Sequence, residues 1–144
     1  MSYSSLSRHF SDVKHLSVSG VGNLIGGKVK INVDSKTFEN ACALRLSYAL
    51  NKSGYTIRET DGAVSFGADG KWYLYRVSDI IKYVKKIAIE TIDDRYNFNK
   101  KKGIIVFGDC NWTNATGHVD LFNGTVVEGD DYPSCGIVTL YVLL

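Results

Sequence analysis

Two side chains in this 144-residue chain have the chemistry of a nucleophile and its base. Cys42 lies in FENACALRLSYALNK, a segment with helical apolar spacing, and His118 opens the alternating run HVDLF. The thiolate of a cysteine is the form that attacks a carbonyl carbon. Near a helix N-terminus that form is favoured by the unpaired N–H groups and by the dipole. The same N–H groups can receive the charge of an oxyanion. Taken alone, Cys42 also reads as a small buried hydrophobe, since free cysteine is among the most buried residue types. His118 taken alone reads more often as a hydrogen-bonded structural histidine. Their order adds weight: a cysteine on an early helix and, far downstream, a histidine at the start of a strand form the layout in which a base deprotonates a thiol and a third group orients the base. His9 and His15 lie in the first, surface-like segment.

The third group must lie beside His118. If Asn123-Gly124 form a two-residue hairpin turn, Phe122 faces Thr125 and His118 faces Gly129. Asp131 then shares the His118 face by alternation and reaches it diagonally. Asp130 reaches it if one bulge shifts the register, which glycine at 129 makes easy. Asp120 shares the face too, but reads as a solvent-facing strand carboxylate. Asp130 and Asp131 are therefore the expected catalytic acids, with Asp120 the remaining alternative. Arg45 lies one helical turn after Cys42 and is a candidate for binding a substrate carboxylate, against the plainer reading of a structural pairing. Trp112, just before the His118 strand, is a candidate wall of the cleft, against core packing.

The elements that must position these groups are legible in outline. Residues 4–16 have helical spacing in Leu6, Phe10, Val13 and Leu16. The glycine-rich GVGNLIGG (20–27) reads as a tight loop; it lacks the following Gly-Lys-Ser/Thr of a phosphate loop. The strongest helix covers about 38–52, with Ser35 or Thr37 as its cap and Gly54 as its stop. Residues 55–75 are extended and glycine-broken, and 78–88 form a helix capped by Ser78. Gly103–Phe107 is a continuous apolar run, the mark of a central strand, and Ile137–Leu144 a second buried strand. Thr125–Glu128 returns from the hairpin. Helices first and an antiparallel sheet second give an α+β fold in one domain, 1–144.

Composition narrows the function classes. The chain is 44% hydrophobic and 22% charged, as expected for a globular domain large enough to fold without a metal or disulfide scaffold. A net charge of +2, with one basic cluster at Lys100, Lys101 and Lys102 and with Lys82, Lys85 and Lys86 nearby, is too mild for nucleic acid as a partner. No run of apolar residues is long enough for membrane insertion, and Met1–Gly20 lacks the apolar core of a signal peptide. The chain is thus expected to be made in a cytoplasm and to leave it only by a dedicated export machine. Cys42, Cys110 and Cys135 have no C-x-x-C spacing, so neither a metal nor a cofactor is expected. Cys110 and Cys135 are read as two free thiols, with pairing the alternative if the chain is exported to an oxidising space.

Several segments resemble the type VI secretion amidase effectors of the fourth family: IGGKVKIN (25–32), FENACALRLSYALNKSGYTI (38–57), GADGKWYLYRVSDIIKY (67–83), KKGIIVFGDCNWTNATGHVDLFNG (101–124) and GIVTLYVLL (136–144). The resemblance implies a papain-like fold related to the NlpC/P60 peptidases. It also implies an antibacterial toxin that cleaves the γ-D-glutamyl–meso-diaminopimelate bond of peptidoglycan stem peptides, with Cys42 as nucleophile and His118 as base. Type VI secretion machinery would deliver it to the periplasm of a target cell, and a cognate immunity protein would block its cleft. The family's acid lies in a longer loop after the hairpin. Here the loop is short, VVEGDDYPSCG (126–136), and Gly129 falls at the simplest count for the acid. Two other readings compete: an N-acetylmuramoyl-L-alanine amidase with the same Cys–His pair, and a non-catalytic cell-wall-binding or partner-binding module.

Overall fold

A computed structural model describes residues 1–38, 41–110 and 117–144. Five helices and six strands are present among them: α1 (Tyr3–Phe10), α2 (Val18–Ile25), α3 (Gly27–Asp34), α4 (Cys42–Lys52), β1 (Val64–Phe66), β2 (Trp72–Leu74), α5 (Val77–Ile87), β3 (Glu90–Ile92), β4 (Gly103–Gly108), β5 (Gly117–Phe122) and β6 (Ile137–Val142). β1 and β2 form a small antiparallel ribbon. The main sheet has the order β3-β6-β4-β5, antiparallel throughout, which leaves β5 and its His118 on an edge. The expected α+β fold is the one present.

The sheet separates two apolar layers by alternation, because successive strand side chains face opposite ways. Ile104, Val106, Val119, Leu121 and Tyr141 join the helices in the larger core. Ile105, Phe107, Phe122, Leu140 and Val142 form a smaller core with Phe98, Val127 and Cys135. Helix α4 is buried nearly all round, so its polar residues must find partners inside. Ser47 Oγ bonds both the carbonyl and the N–H of Leu74 (3.0 Å each). The Asn51 amide donates to the Trp72 carbonyl (2.8 Å) and accepts from the Ile57 N–H (3.0 Å). These bonds fix the rotation of α4 against β2, and with it the direction of Cys42.

Several sequence expectations change in the folded chain. GVGNLIGG is not a loop. It is most of α2 and the start of α3, with Ser17 capping α2 by accepting from the Gly20 N–H (3.1 Å). Gly22 lets the two helices close up, since a Cβ there would lie 2.9 Å from Val33; packing outweighs the poor helix propensity of glycine. Helix α4 begins at Cys42, after Ala41 and without a side-chain cap. Ser35 is occupied with the Asn32 carbonyl (3.1 Å) and the Thr37 hydroxyl (2.9 Å). Helix α5 is preceded by Arg76 rather than capped by Ser78.

The hairpin after β5 is wider than two residues. The Asn123 side-chain oxygen accepts from the N–H groups of Thr125 and Val126 (2.9 Å each), and Phe122 faces Val127 rather than Thr125. The expected Thr125–Glu128 strand shrinks to that one bridge. Glu128 instead accepts from Ser7 Oγ (2.8 Å) and from the Tyr3 hydroxyl, which ties α1 to the loop.

Candidate functional site

Cys42 is the first residue of α4 and is 3% exposed. The first-turn N–H groups of a helix have no intrahelical acceptor. A thiol there lies in the field of those donors and of the helix dipole. The tertiary contacts of α4 bring this end to the edge strand β5, where His118 lies directly opposite Phe107 of β4.

His118 is buried, at 7% exposure. Its Nε2 is 2.9 Å from Asp120 Oδ2, and its side chain is also hydrogen-bonded to Cys42. With Nε2 on the carboxylate, Nδ1 is the ring nitrogen left for the sulfur. The ring stacks on Phe107 (centroids 5.9 Å apart) and takes Tyr132 edge-on (4.9 Å). Burial alone lowers the pKa of an imidazole. Here the bonds to Asp120 and Cys42, and their negative charges, outweigh it and raise His118 from 6.5 to about 9. The ring is therefore protonated at neutral pH.

The carboxylate that meets His118 is that of Asp120, and neither Asp130 nor Asp131 brings its side chain to the ring. Asp120 is not solvent-facing but 3% exposed. Asp131 is turned away, forked with the Arg95 guanidinium at 2.8 and 2.7 Å, and that contact holds its carboxyl below the usual range. Asp130 is exposed and meets the site through its backbone, its N–H donating to Asp120 Oδ2 (2.9 Å). The reason is the hairpin. Its extra width removes the strand that would have faced His118 and wraps 129–130 around Asp120.

Arg45 is half-buried and donates from Nε and Nη2 to the Leu16 carbonyl (3.2 and 2.7 Å), so it is tied to the loop after α1. Trp112 lies outside the described residues. Cys110 and Cys135 are not two free thiols but a disulfide, S–S 2.08 Å. Gly108 pairs with Ile137, so the same antiparallel register carried outward sets residue 110 opposite 135, and the Gly136 N–H bonds the Asp109 carbonyl between them (2.9 Å). Tyr132 had no sequence signal, because its place over His118 depends on the path of the loop. Among the described residues no group of His, Cys, Asp and Glu could hold a metal ion, and no helix is long and apolar enough to cross a membrane.

The arrangement is that of a thiol at a helix N-terminus, a charged imidazole beside it, and a buried carboxylate behind the imidazole. That is the equipment for acyl transfer from an amide. No curated protein matches the sequence. Among solved structures, the Tae4–Tai4 effector–immunity complex of Enterobacter cloacae is similar at 32% identity and TM-score 0.88, over 99% of this chain and 98% of that one. The corresponding complex of Salmonella Typhimurium is 37% identical, with TM-score 0.88 and the same coverage of both chains. The Tae4 effector of Enterobacter cloacae solved by itself is 33% identical over 99% and 96%, with TM-score 0.86. The expected papain-like, NlpC/P60-type fold is the fold of these relatives. The family described as type VI secretion system (T6SS), amidase effector protein 4, matches residues 38–141, and the chain belongs to it.

Proposed function

We propose that this amidase effector is a cysteine endopeptidase that hydrolyses the γ-D-glutamyl–meso-diaminopimelate bond of peptidoglycan stem peptides, with Cys42 as nucleophile and His118 as base and acid. The observation that carries this reading is the contact of a helix-start thiol with a buried histidine that is backed by a buried carboxylate. In the reaction, the Cys42 thiolate adds to the γ-D-glutamyl carbonyl carbon. The first-turn N–H groups of α4 receive the charge on its oxygen. His118 then gives its Nδ1 proton to the leaving diaminopimelate amine, and the C–N bond breaks to leave a thioester. Neutral His118 next takes a proton from water, whose oxygen attacks the thioester, and the D-glutamate product leaves as Cys42 regains its charge.

The substrate lies in the periplasm of a target cell, reached through the type VI machinery. A cognate immunity protein, of the kind present in the effector–immunity complexes of the relatives, is the partner, and in this reading it covers the cleft. Digestion of diaminopimelate-type peptidoglycan by the wild type and by Cys42→Ala, read by mass spectrometry, tests this. New D-glutamate ends with the wild type alone support it. Free lactyl ends would assign the chain to muramoyl-alanine amidases, and intact polymer with both proteins would refute hydrolysis of this substrate.

A further inference from the structure

The Asp120 carboxylate has more bonds than a strand side chain needs. Oδ2 meets His118 Nε2 and the Asp130 N–H, each at 2.9 Å. Oδ1 accepts from its neighbour Leu121 N–H (2.8 Å) and from the Gly129 N–H (2.9 Å). Two of the three backbone donors thus come from the loop and not from the strand that carries the acid. They form a cradle for a carboxylate, whichever side the carboxylate enters from.

Gly129 shows the second side. A Cβ built on it would lie 2.4 Å from Asp120 Oδ2, 2.9 Å from Oδ1 and 3.0 Å from Cγ. Real Cβ atoms do not approach oxygen that closely, so the Asp120 carboxylate fills the volume that a side chain at 129 would take. Gly129 has no need of glycine for a positive φ, as it is not among the left-handed residues of the chain. The space alone demands it. Of the other nearby carboxylates, Asp131 is committed to Arg95 and Glu128 to Tyr3 and Ser7, while Asp130 is exposed and meets Asp120 through its backbone N–H.

We propose that Asp120 is the positioning residue for His118, and that positions 120 and 129 are alternative anchor points for one acid, so that an acid at 120 requires glycine at 129. This rests on the reading of Cys42 and His118 as a hydrolytic pair. The groups facing His118 are Asp120 on its own strand, Cys42 on α4 and Tyr132 on the loop, with Asp130 and Arg45 acting on Tyr132 beyond.

The test uses the full chain in six forms: wild type, Asp120→Ala, Asp120→Asn, Gly129→Ala, Asp131→Ala, and the double variant Asp120→Ala with Gly129→Asp. Two readouts are taken: the NMR titration of the His118 ring, which needs no substrate, and the pH profile of kcat/KM on a muropeptide. Asp120→Ala is expected to move the His118 titration and the upper limb of the profile to lower pH, and to lower kcat/KM by about 10²-fold or more. Gly129→Ala is expected to do the same in part, with Asp120 still present. The double variant is expected to return the titration toward the wild-type position and kcat/KM to within about 10-fold of it. Asp120→Asn carries the comparison if Asp120→Ala does not fold. An unmoved titration in both Asp120 variants, or a shift produced by Asp131→Ala, would overturn Asp120 as the positioning residue. A folded double variant no better than Asp120→Ala would overturn the exchange between 120 and 129. Failure of the substrate reading would show as no turnover by the wild type, with the titration still deciding Asp120.

Discussion

Reducing the Cys110–Cys135 bridge is expected to lower the thermal midpoint by about 10 °C. The bridge closes a loop with a sequence separation of 25. On the chain-entropy account, opening a loop of that length returns about 3.5 kcal/mol of freedom to the unfolded chain. A chain of this size loses roughly 2–4 °C of midpoint for each kcal/mol. The native partners of the two cysteines hold on the other side of the balance. Residue 108 still pairs with 137, and the Gly136 N–H still bonds the Asp109 carbonyl, so the fold survives reduction. The assay is calorimetry of the oxidised protein, of the protein in a phosphine reductant, and of Cys110→Ser, with thiol counts by mass spectrometry. A fully reduced sample whose midpoint lies within about 2 °C of the oxidised one would refute the argument, since the loop would then contribute less than about 1 kcal/mol. Activity follows the same change. Tyr132, three residues before Cys135, packs edge-on against His118, so reduction is expected to lower turnover before it unfolds the chain.

Because bonds to Asp120 and Cys42 raise His118 against the effect of burial, kcat/KM is expected to fall on the alkaline side near pH 9. The raised pKa also means that His118 contributes stability, on the order of 3 kcal/mol, that is whole below about pH 6.5 and lost as pH rises through about 9; urea midpoints measured at pH 6 and 9.5 on wild type and His118→Gln check the sign, and parallel pH dependence in the two would refute it. Arg45→Met is expected to cost about 1–3 kcal/mol by leaving the Leu16 carbonyl without its charged donor. A rise in KM at unchanged stability would return Arg45 to the substrate. Gly22→Ala is expected to destabilise: the gain of about 1 kcal/mol in helix propensity is outweighed by the 2.9 Å approach to Val33, with overpacking of this kind costing roughly 1–3 kcal/mol. A higher midpoint would show that α2 and α3 separate freely.

The class of chemistry and the elements that carry it are legible in the residue order. Apolar spacing marks α4 and α5, continuous and alternating runs mark β4, β5 and β6, and the quoted motifs point to the family. These are local properties, decided by neighbours within a few residues, and they survive into the fold. Ends, caps and partners are not local. Whether Asp120 faces water or His118 depends on what covers the edge strand, and that is the 129–130 backbone, placed by a hairpin wider than the Asn-Gly pair suggests. Whether Cys110 meets Cys135 depends on the register of β4 with β6, two strands whose central residues lie more than thirty positions apart. The glycines of 20–27 become helical because Val33 needs the room at Gly22. In each case a side chain's role is set by a contact between distant segments. The tertiary structure alone supplies those contacts, because the free energy that fixes them is packing and hydrogen bonding summed over the whole chain rather than propensity at one position.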